Sequence, residues 1–419
     1  MNFWKFLILS GIVVCLQLSC SKPQGPEPPP PPPPPPNGVN INISYPLPGA
    51  AAGINYELII TEPGGKKLLD TIVGVNVSVA ARLITDSKLV DLTTILYDPS
   101  SDTYKAITYK SIDPGYLKSS VGLNYSLMPQ AKPTTPANIY YAHPPANALN
   151  SPFQPPFLFN DAAKTSGLTS TFTNASLSIN YPRQNGNYAY LLFPHLGLYN
   201  LSLPKSDRDT VDLSEMDTVT KIKFNIPAAY NLSSCSLLGV FDTTDLSKSV
   251  SLYDEVTRAA DADLEVPKIP VQKFQLTVNA NYNYGMDWLS FYSYSDTIPT
   301  EPIFIDGLSY NLTSTANDHF EVEFLDFKPS YYMTQWNSGK LRWQLFSSPD
   351  SIVGSPVTLF QSFNSKLLEG RSVADFKLGT FLFEVVDQMN YKTYMRYSLD
   401  PAQVAAKHVS QAVQYYRIF

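Results

Sequence analysis

Side chains able to do chemistry are few and widely spaced in this chain of 419 residues. The four histidines, His143, His195, His319 and His408, lie at least 52 residues apart, with no Cys or acidic residue at metal-ligand spacing. No Gly-x-Ser-x-Gly elbow is present, and Gly64-Gly65-Lys66 lacks the spacing that lets backbone amides cradle a phosphate. Asp261-Ala262-Asp263-Leu264-Glu265 opens like a calcium loop but has no Gly at the sixth position and no Glu at the twelfth, so it reads as a solvated linker. Asp306, Glu321, Glu323 and Asp326 supply carboxylates. Pairing them for glycoside cleavage needs a separation of about 5–10 Å that only folding can set. The expectation is a protein that is not an enzyme and uses no metal or cofactor. Its alternative is a hydrolase whose site forms only in the fold.

Aromatic residues offer the other chemistry. The chain holds 27 Tyr and 22 Phe, and two segments mix rings with amides in loop-like contexts. One is Asn281-Tyr282-Asn283-Tyr284-Gly285-Met286-Asp287-Trp288; the other is Tyr331-Tyr332-Met333-Thr334-Gln335-Trp336. Flat ring faces suit sugar C–H groups and amides suit hydroxyls, so Tyr282, Tyr284, Trp288, Tyr331, Tyr332 and Trp336 are candidate ligand contacts. Exposed rings also anchor protein partners. The competing expectation is that these rings fill strand surfaces and sandwich cores, where Tyr and Trp are favoured.

The N-terminus carries an address. Lys5 precedes an apolar run of 13 residues, Phe6 to Leu18, and Ser19-Cys20 follows. This is the layout of a secretory signal. A helix of that length is about 20 Å long, short of the roughly 30 Å hydrocarbon core, which argues against a permanent span. Leu18-Ser19-Cys20 resembles a bacterial lipoprotein signal, with Ser19 in the small-residue slot and Cys20 as the lipid-accepting thiol. The slot three before the Cys, usually Leu in that family, holds Gln17. The resemblance implies cleavage after Ser19, acylation of Cys20 and a membrane partner reached through the lipid. Acyl chains contribute about 0.8 kcal/mol per buried CH2, so several of them anchor durably. Ser21 in place of Asp implies the outer membrane, facing the periplasm or the surface.

Nine consecutive prolines, Pro28 to Pro36, follow. Polyproline extends at about 3.1 Å per residue, which makes a stiff spacer near 28 Å. The style of the mature chain is similar to envelope lipoproteins of Bacteroidota. Asp-Thr/Ser-apolar triplets are similar to the O-glycosylation triplet of exported proteins from that group, which would place sugars on Thr71, Thr210, Thr218, Thr297 and Ser351. An Asp-Thr pair opening a strand after a turn explains the same triplets without any sugar.

Composition bounds the partners. Net charge is −6 and the pI is near 5.3, with no basic footprint for nucleic acid. Once Cys15 leaves with the signal and Cys20 is acylated, Cys235 is the remaining thiol, so no internal disulfide is expected; in its apolar run it reads as a small hydrophobe. An envelope protein or a glycan is the expected partner, the latter as an accessory lipoprotein of polysaccharide uptake.

The elements that must position these residues are strands. Val39-Asn40-Ile41-Asn42-Ile43 alternates strictly, and period-two runs recur at Tyr56–Thr61, Gly74–Ala81, Leu89–Tyr97 and Tyr104–Tyr109. Glu62-Pro63-Gly64-Gly65-Lys66-Lys67 reads as a hairpin turn. Further strands are expected over Ser176–Tyr181, Tyr188–Phe193, Val219–Ile226, Ser236–Phe241, Lys273–Asn279, Trp288–Tyr294, His319–Phe327, Lys340–Phe346 and Thr380–Val386. The fold class is all-β: tandem Ig-like or similar β-sandwich modules, with transthyretin-like and carboxypeptidase-regulatory-like folds as alternatives. The expected layout is a signal peptide (1–19), a lipidated proline-rich tether (20–37), a β-sandwich module (38–130), a second β-rich module (131–262) and a third (263–419). Short helical turns are expected at Asp212–Met216 and Leu359–Gly370. Asp400-Pro401-Ala402-Gln403 sets the start of a C-terminal helix over 401–413.

Overall fold

The computed structural model describes residues 38–45, 54–118, 121–122, 135–146, 157–159, 164–165, 170–173, 176–183, 188–225, 230–243, 248–255, 261–282, 287–300, 310–350, 364–369, 375–399 and 410–419. Alternating stretches become strands close to where their period places them, and the described chain is all-β with one short α-helix. Twelve strands form the largest sheet: β1 (Asn55–Thr61), β2 (Lys67–Gly74), β3 (Val90–Asp98), β4 (Thr103–Ile112), β5 (Asn231–Val240), β6 (Ser249–Glu255), β7 (Lys273–Tyr282), β8 (Asp287–Ser295), β9 (Tyr331–Ser338), β10 (Leu341–Ser347), β11 (Lys377–Val386) and β12 (Gln411–Ile418). Their order across the sheet is β6-β5-β7-β8-β12-β11-β9-β10-β4-β3-β1-β2.

Every pairing in that sheet is antiparallel except β10 with β4, which run parallel. That junction joins the N-terminal hairpins to the C-terminal ones. It is sealed by Tyr104 N–H on Lys340 O at 2.8 Å, by Trp343 Nε1 on Thr108 Oγ1 at 2.9 Å, and by the Lys340–Asp102 ion pair. The sheet therefore draws strands from all three stretches expected as modules, and Gly38–Phe419 forms one compact unit.

Both faces of the sheet carry cores. One face, through Ile59, Leu237, Val278, Phe291, Trp336, Phe381 and Tyr415, packs under Tyr190, Leu192, Phe224, Leu264 and Phe320. The other, through Tyr56, Leu58, Ile60, Leu92 and Met333, packs against Ile41 and Ile43 of strand Gly38–Ser44 and against the helix. Strand β1 is buried at every position after its first, as a strand between two cores must be. Strand Ala189–Phe193 is likewise buried throughout, with Tyr190 and Leu192 facing the first core and Leu191 and Phe193 facing a smaller one with Ile139, Tyr141 and Ile179.

The hairpin at 62–67 forms as its Pro-Gly-Gly sequence requires. Glu62 N–H donates to Lys66 O and Gly65 N–H to Glu62 O, both at 2.8 Å, with Gly65 at φ +87°. Gly239 serves a different need, since a Cβ there would meet Val271 at 2.8 Å and Ile269 at 2.9 Å.

Four expectations are corrected. The single strand expected over Gly74–Ala81 is broken at Asn76, whose φ of +65° turns the chain from β2 into Ser78–Ile84 of a separate three-stranded sheet. The C-terminal helix expected over 401–413 does not hold at its described end. The helix, α1, spans Tyr391–Leu399, and Gln411–Ile418 is strand β12, wedged between β8 and β11; 400–409 lie outside the described residues. Asn390 caps α1 through its Oδ1, which accepts from Thr393 N–H at 3.0 Å, and Tyr391, Met395 and Leu399 form its buried stripe. At Leu359–Gly370 the described part, 364–369, is a turn, because the Glu57 carboxylate takes the N–H groups of Lys366 (2.8 Å) and Leu367 (3.1 Å). Asp212–Met216 is no helical turn either: Asp212 ends a strand, and its Oδ1 accepts from Ser214 N–H at 2.9 Å.

Candidate functional site

Strand geometry sorts the aromatic candidates. Tyr331, Tyr332 and Trp336 lie on β9, paired on both sides by β10 and β11, and are 4%, 2% and 0% exposed. Trp336 Nε1 donates to Thr334 Oγ1 at 2.9 Å, and its ring meets Phe320 edge-on at 5.9 Å. Tyr331 stacks on Tyr394 of α1 at 4.3 Å. These three rings are core, and the ligand role expected for them is withdrawn. Tyr284 lies outside the described residues. Tyr282, at the end of β7, is exposed and tilts against Tyr230 with ring centroids 5.6 Å apart. Trp288 is half-buried on β8.

The modification candidates divide similarly. Thr71 is half-buried within β2, opposite Leu58. Thr210, Thr218 and Thr297 are exposed. Ser351 and the lipid acceptor Cys20 lie outside the described residues. Cys235 is fully buried on β5 beside Leu237 and Val278, as a small apolar side chain would be. Asp261–Val266 is a strand paired with Thr220–Asn225, which overturns the reading of its acidic residues as a linker.

Titratable groups pair locally. His143 Nδ1 lies 3.0 Å from Asp212 Oδ1. The Ser214 backbone N–H first, then His143, pull the Asp212 carboxyl down to about 2. His319 and Glu321 form an exposed pair at 3.4 Å. Among the described residues no three His, Cys, Asp or Glu side chains gather as a metal site. One partly buried ion pair is structural: Arg417 on β12 grips Asp287 on β8 with two hydrogen bonds, at 2.6 and 2.8 Å. Those bonds hold the guanidinium above its ordinary pKa, and burial raises the Tyr415 phenol.

One surface was not legible as a motif because it is assembled across four strands. On β7, Leu276, Val278 and Ala280 point into the first core, so Gln275, Thr277, Asn279 and Asn281 point to the opposite face. The pairing register lines them up with neighbours. Ser234, Asn279, Ser290 and Gln414 form one row across β5, β7, β8 and β12. Asn281, Trp288 and Tyr416 form the row on one side; Ser236, Thr277 and Tyr292 form the row on the other. All ten are half-buried. Among the described residues, the hydrophobic clusters on this face reach Tyr416 and Tyr292 but include no residue of β5 or β7. The face is polar, uncharged over these ten residues and bordered by rings. It can offer amide and hydroxyl hydrogen bonds together with flat apolar surface. Of the rings singled out from the sequence, Trp288 alone belongs to it.

No protein-family model and no curated protein match the sequence.

Proposed function

We propose that this chain is a lipid-anchored protein of the outer membrane or cell surface with a non-catalytic binding role. The observation that carries the anchor is Ser19-Cys20 at the end of a charged-then-apolar leader, followed by a spacer of nine prolines. Acyl chains on Cys20 hold the N-terminus at a bilayer. Nine prolines in an extended polyproline helix would reach about 28 Å, enough to keep a folded body clear of a lipid surface. Binding is supported by the uncharged polar face of β5, β7, β8 and β12, which among the described residues carries apolar packing only at its margin, around Ala412, Tyr292 and Tyr416.

The test is metabolic labelling with radioactive palmitate in a host that acylates lipoproteins, comparing the parent with Cys20→Ala. Label in the parent alone, with the variant shifting from the membrane to the soluble fraction, is the expected result. An unlabelled parent, or a variant that fractionates unchanged, removes the anchor.

A further inference from the structure

We infer that the β5–β7–β8–β12 face is a binding platform for an extended neutral polysaccharide. This rests on the binding role proposed above and names the ligand for it. The central row, Ser234, Asn279, Ser290 and Gln414, crosses three inter-strand gaps. At about 4.8 Å each it is a line of hydrogen-bonding groups some 14 Å long. Such a line suits a polymer that presents hydroxyls at regular intervals. Trp288 and Tyr416, directly opposite each other on β8 and β12, edge the row on one side, and Tyr292 edges it on the other. Trp288 offers an apolar face to sugar C–H groups while the row beside it binds hydroxyls, and Tyr416 and Tyr292, packed against apolar clusters, close the margins.

Charge chooses among occupants. The acidic residues in register with these rows stand at their ends, Asp254 opposite Ser236 and Glu384 opposite Gln414. With no cation on the ten residues between them, the face has no means to neutralise a uronic-acid polymer, a sulfated glycan or a nucleic acid. A protein interface wants an apolar, aromatic-rich centre. Here the centre is Ser, Asn and Gln and the rings are marginal, which is the inverse arrangement. A neutral glycan chain satisfies both conditions. Within the row Asn279 Nδ2 donates to Ser234 Oγ at 2.9 Å, which fixes the amide's orientation before any ligand arrives.

The experiment is affinity electrophoresis of the full chain in non-ionic detergent through gels containing neutral glucans, mannans, xylans or galactans, with alginate and polygalacturonate as anionic comparisons. At least one neutral polymer is expected to retard the parent, and Trp288→Ala and Ser290→Asp each weaken that retardation tenfold or more. Ser290→Asp keeps a small side chain on the polar face and adds a charge that a neutral polymer must strip of water to cover. It therefore separates lost binding from lost folding, with an unchanged thermal midpoint as the check. Absence of retardation by every neutral polymer, preference for an anionic one, or retardation indifferent to both substitutions overturns the inference. Palmitate labelling reads the anchor independently, so either conclusion can fail alone.

Discussion

Asp287 and Arg417 sit opposite one another on β8 and β12 and join through both carboxylate oxygens. Asp287 is 1% exposed, and the guanidinium lies over the rings of Tyr310 and Tyr415 at 5.7 and 5.9 Å. Tyr310 in turn donates its hydroxyl to Tyr415 at 2.9 Å. The cluster pins the C-terminal strand into the middle of the large sheet. Removing the cation strands a buried carboxylate, so Arg417→Ala is expected to cost about 3 kcal/mol. Arg417→Lys keeps the charge but loses the two-pronged fit and costs less. Denaturant midpoints check both, and an Arg417→Ala protein as stable as the parent contradicts the assignment.

Trp336 has no exposed surface and its indole N–H is bonded to Thr334. Trp336→Ala should lower stability by about 3–5 kcal/mol. It should act on any ligand affinity only through folding, in contrast to Trp288→Ala on the wet face. Thermal unfolding run beside affinity electrophoresis separates the two classes. A stable Trp336→Ala protein with specific loss of binding would return Trp336 to the surface.

Glu57 is fully buried on β1, and its carboxylate receives the Ser365 hydroxyl and the backbone N–H groups of Lys366 and Leu367. Glu57→Ala leaves buried donors without their acceptor, at about 1–3 kcal/mol for each group left unsatisfied. Faster hydrogen exchange at the Lys366 and Leu367 amides, beyond that of the sheet as a whole, is the expected signature. Uniform acceleration everywhere would mean the turn is not held by Glu57.

Burial pushes the phenols of Tyr45 and Tyr56 up to about 12 from the ordinary 10.0. Below pH 10 these phenols are protonated in folded and unfolded chains alike, and their contribution to stability is fully present. As pH rises from 10 toward 12, the unfolded chain sheds protons that the folded chain retains, so stability falls. Alkaline titration should show phenolate absorbance rising together with loss of structure. Tyr45 and Tyr56 ionising near pH 10 in the intact fold would contradict their burial.

Much of the fold was legible because a strand with one wet face writes its period into the sequence. β7 alternates as Leu276, Thr277, Val278, Asn279 and Ala280, and the structure keeps that alternation. Strands buried on both faces hide the signal. In β12 Ala412, Val413 and Tyr415 are all buried, and the spacing of Ala412 and Tyr415 also suits a helical stripe. Strand Thr135–Ala142 was obscured by the prolines around it; Pro136 is accommodated near the strand's start, opposite Pro182. The ring-rich 331–336 segment looked like a ligand loop because Tyr331 and Tyr332 are adjacent and so break the period-two pattern; one core takes Tyr331 and the other Tyr332 and Trp336. The polar platform left no local trace, since Ser234, Asn279, Ser290 and Gln414 meet only through register.

The anchor at Cys20 is the claim on which the proposed role depends most. Mass spectrometry of the mature N-terminal peptide tests it directly. The account predicts a chain beginning at Cys20 whose first residue carries fatty acyl mass. A mature chain beginning at any other residue, or an unmodified Cys20, would contradict it.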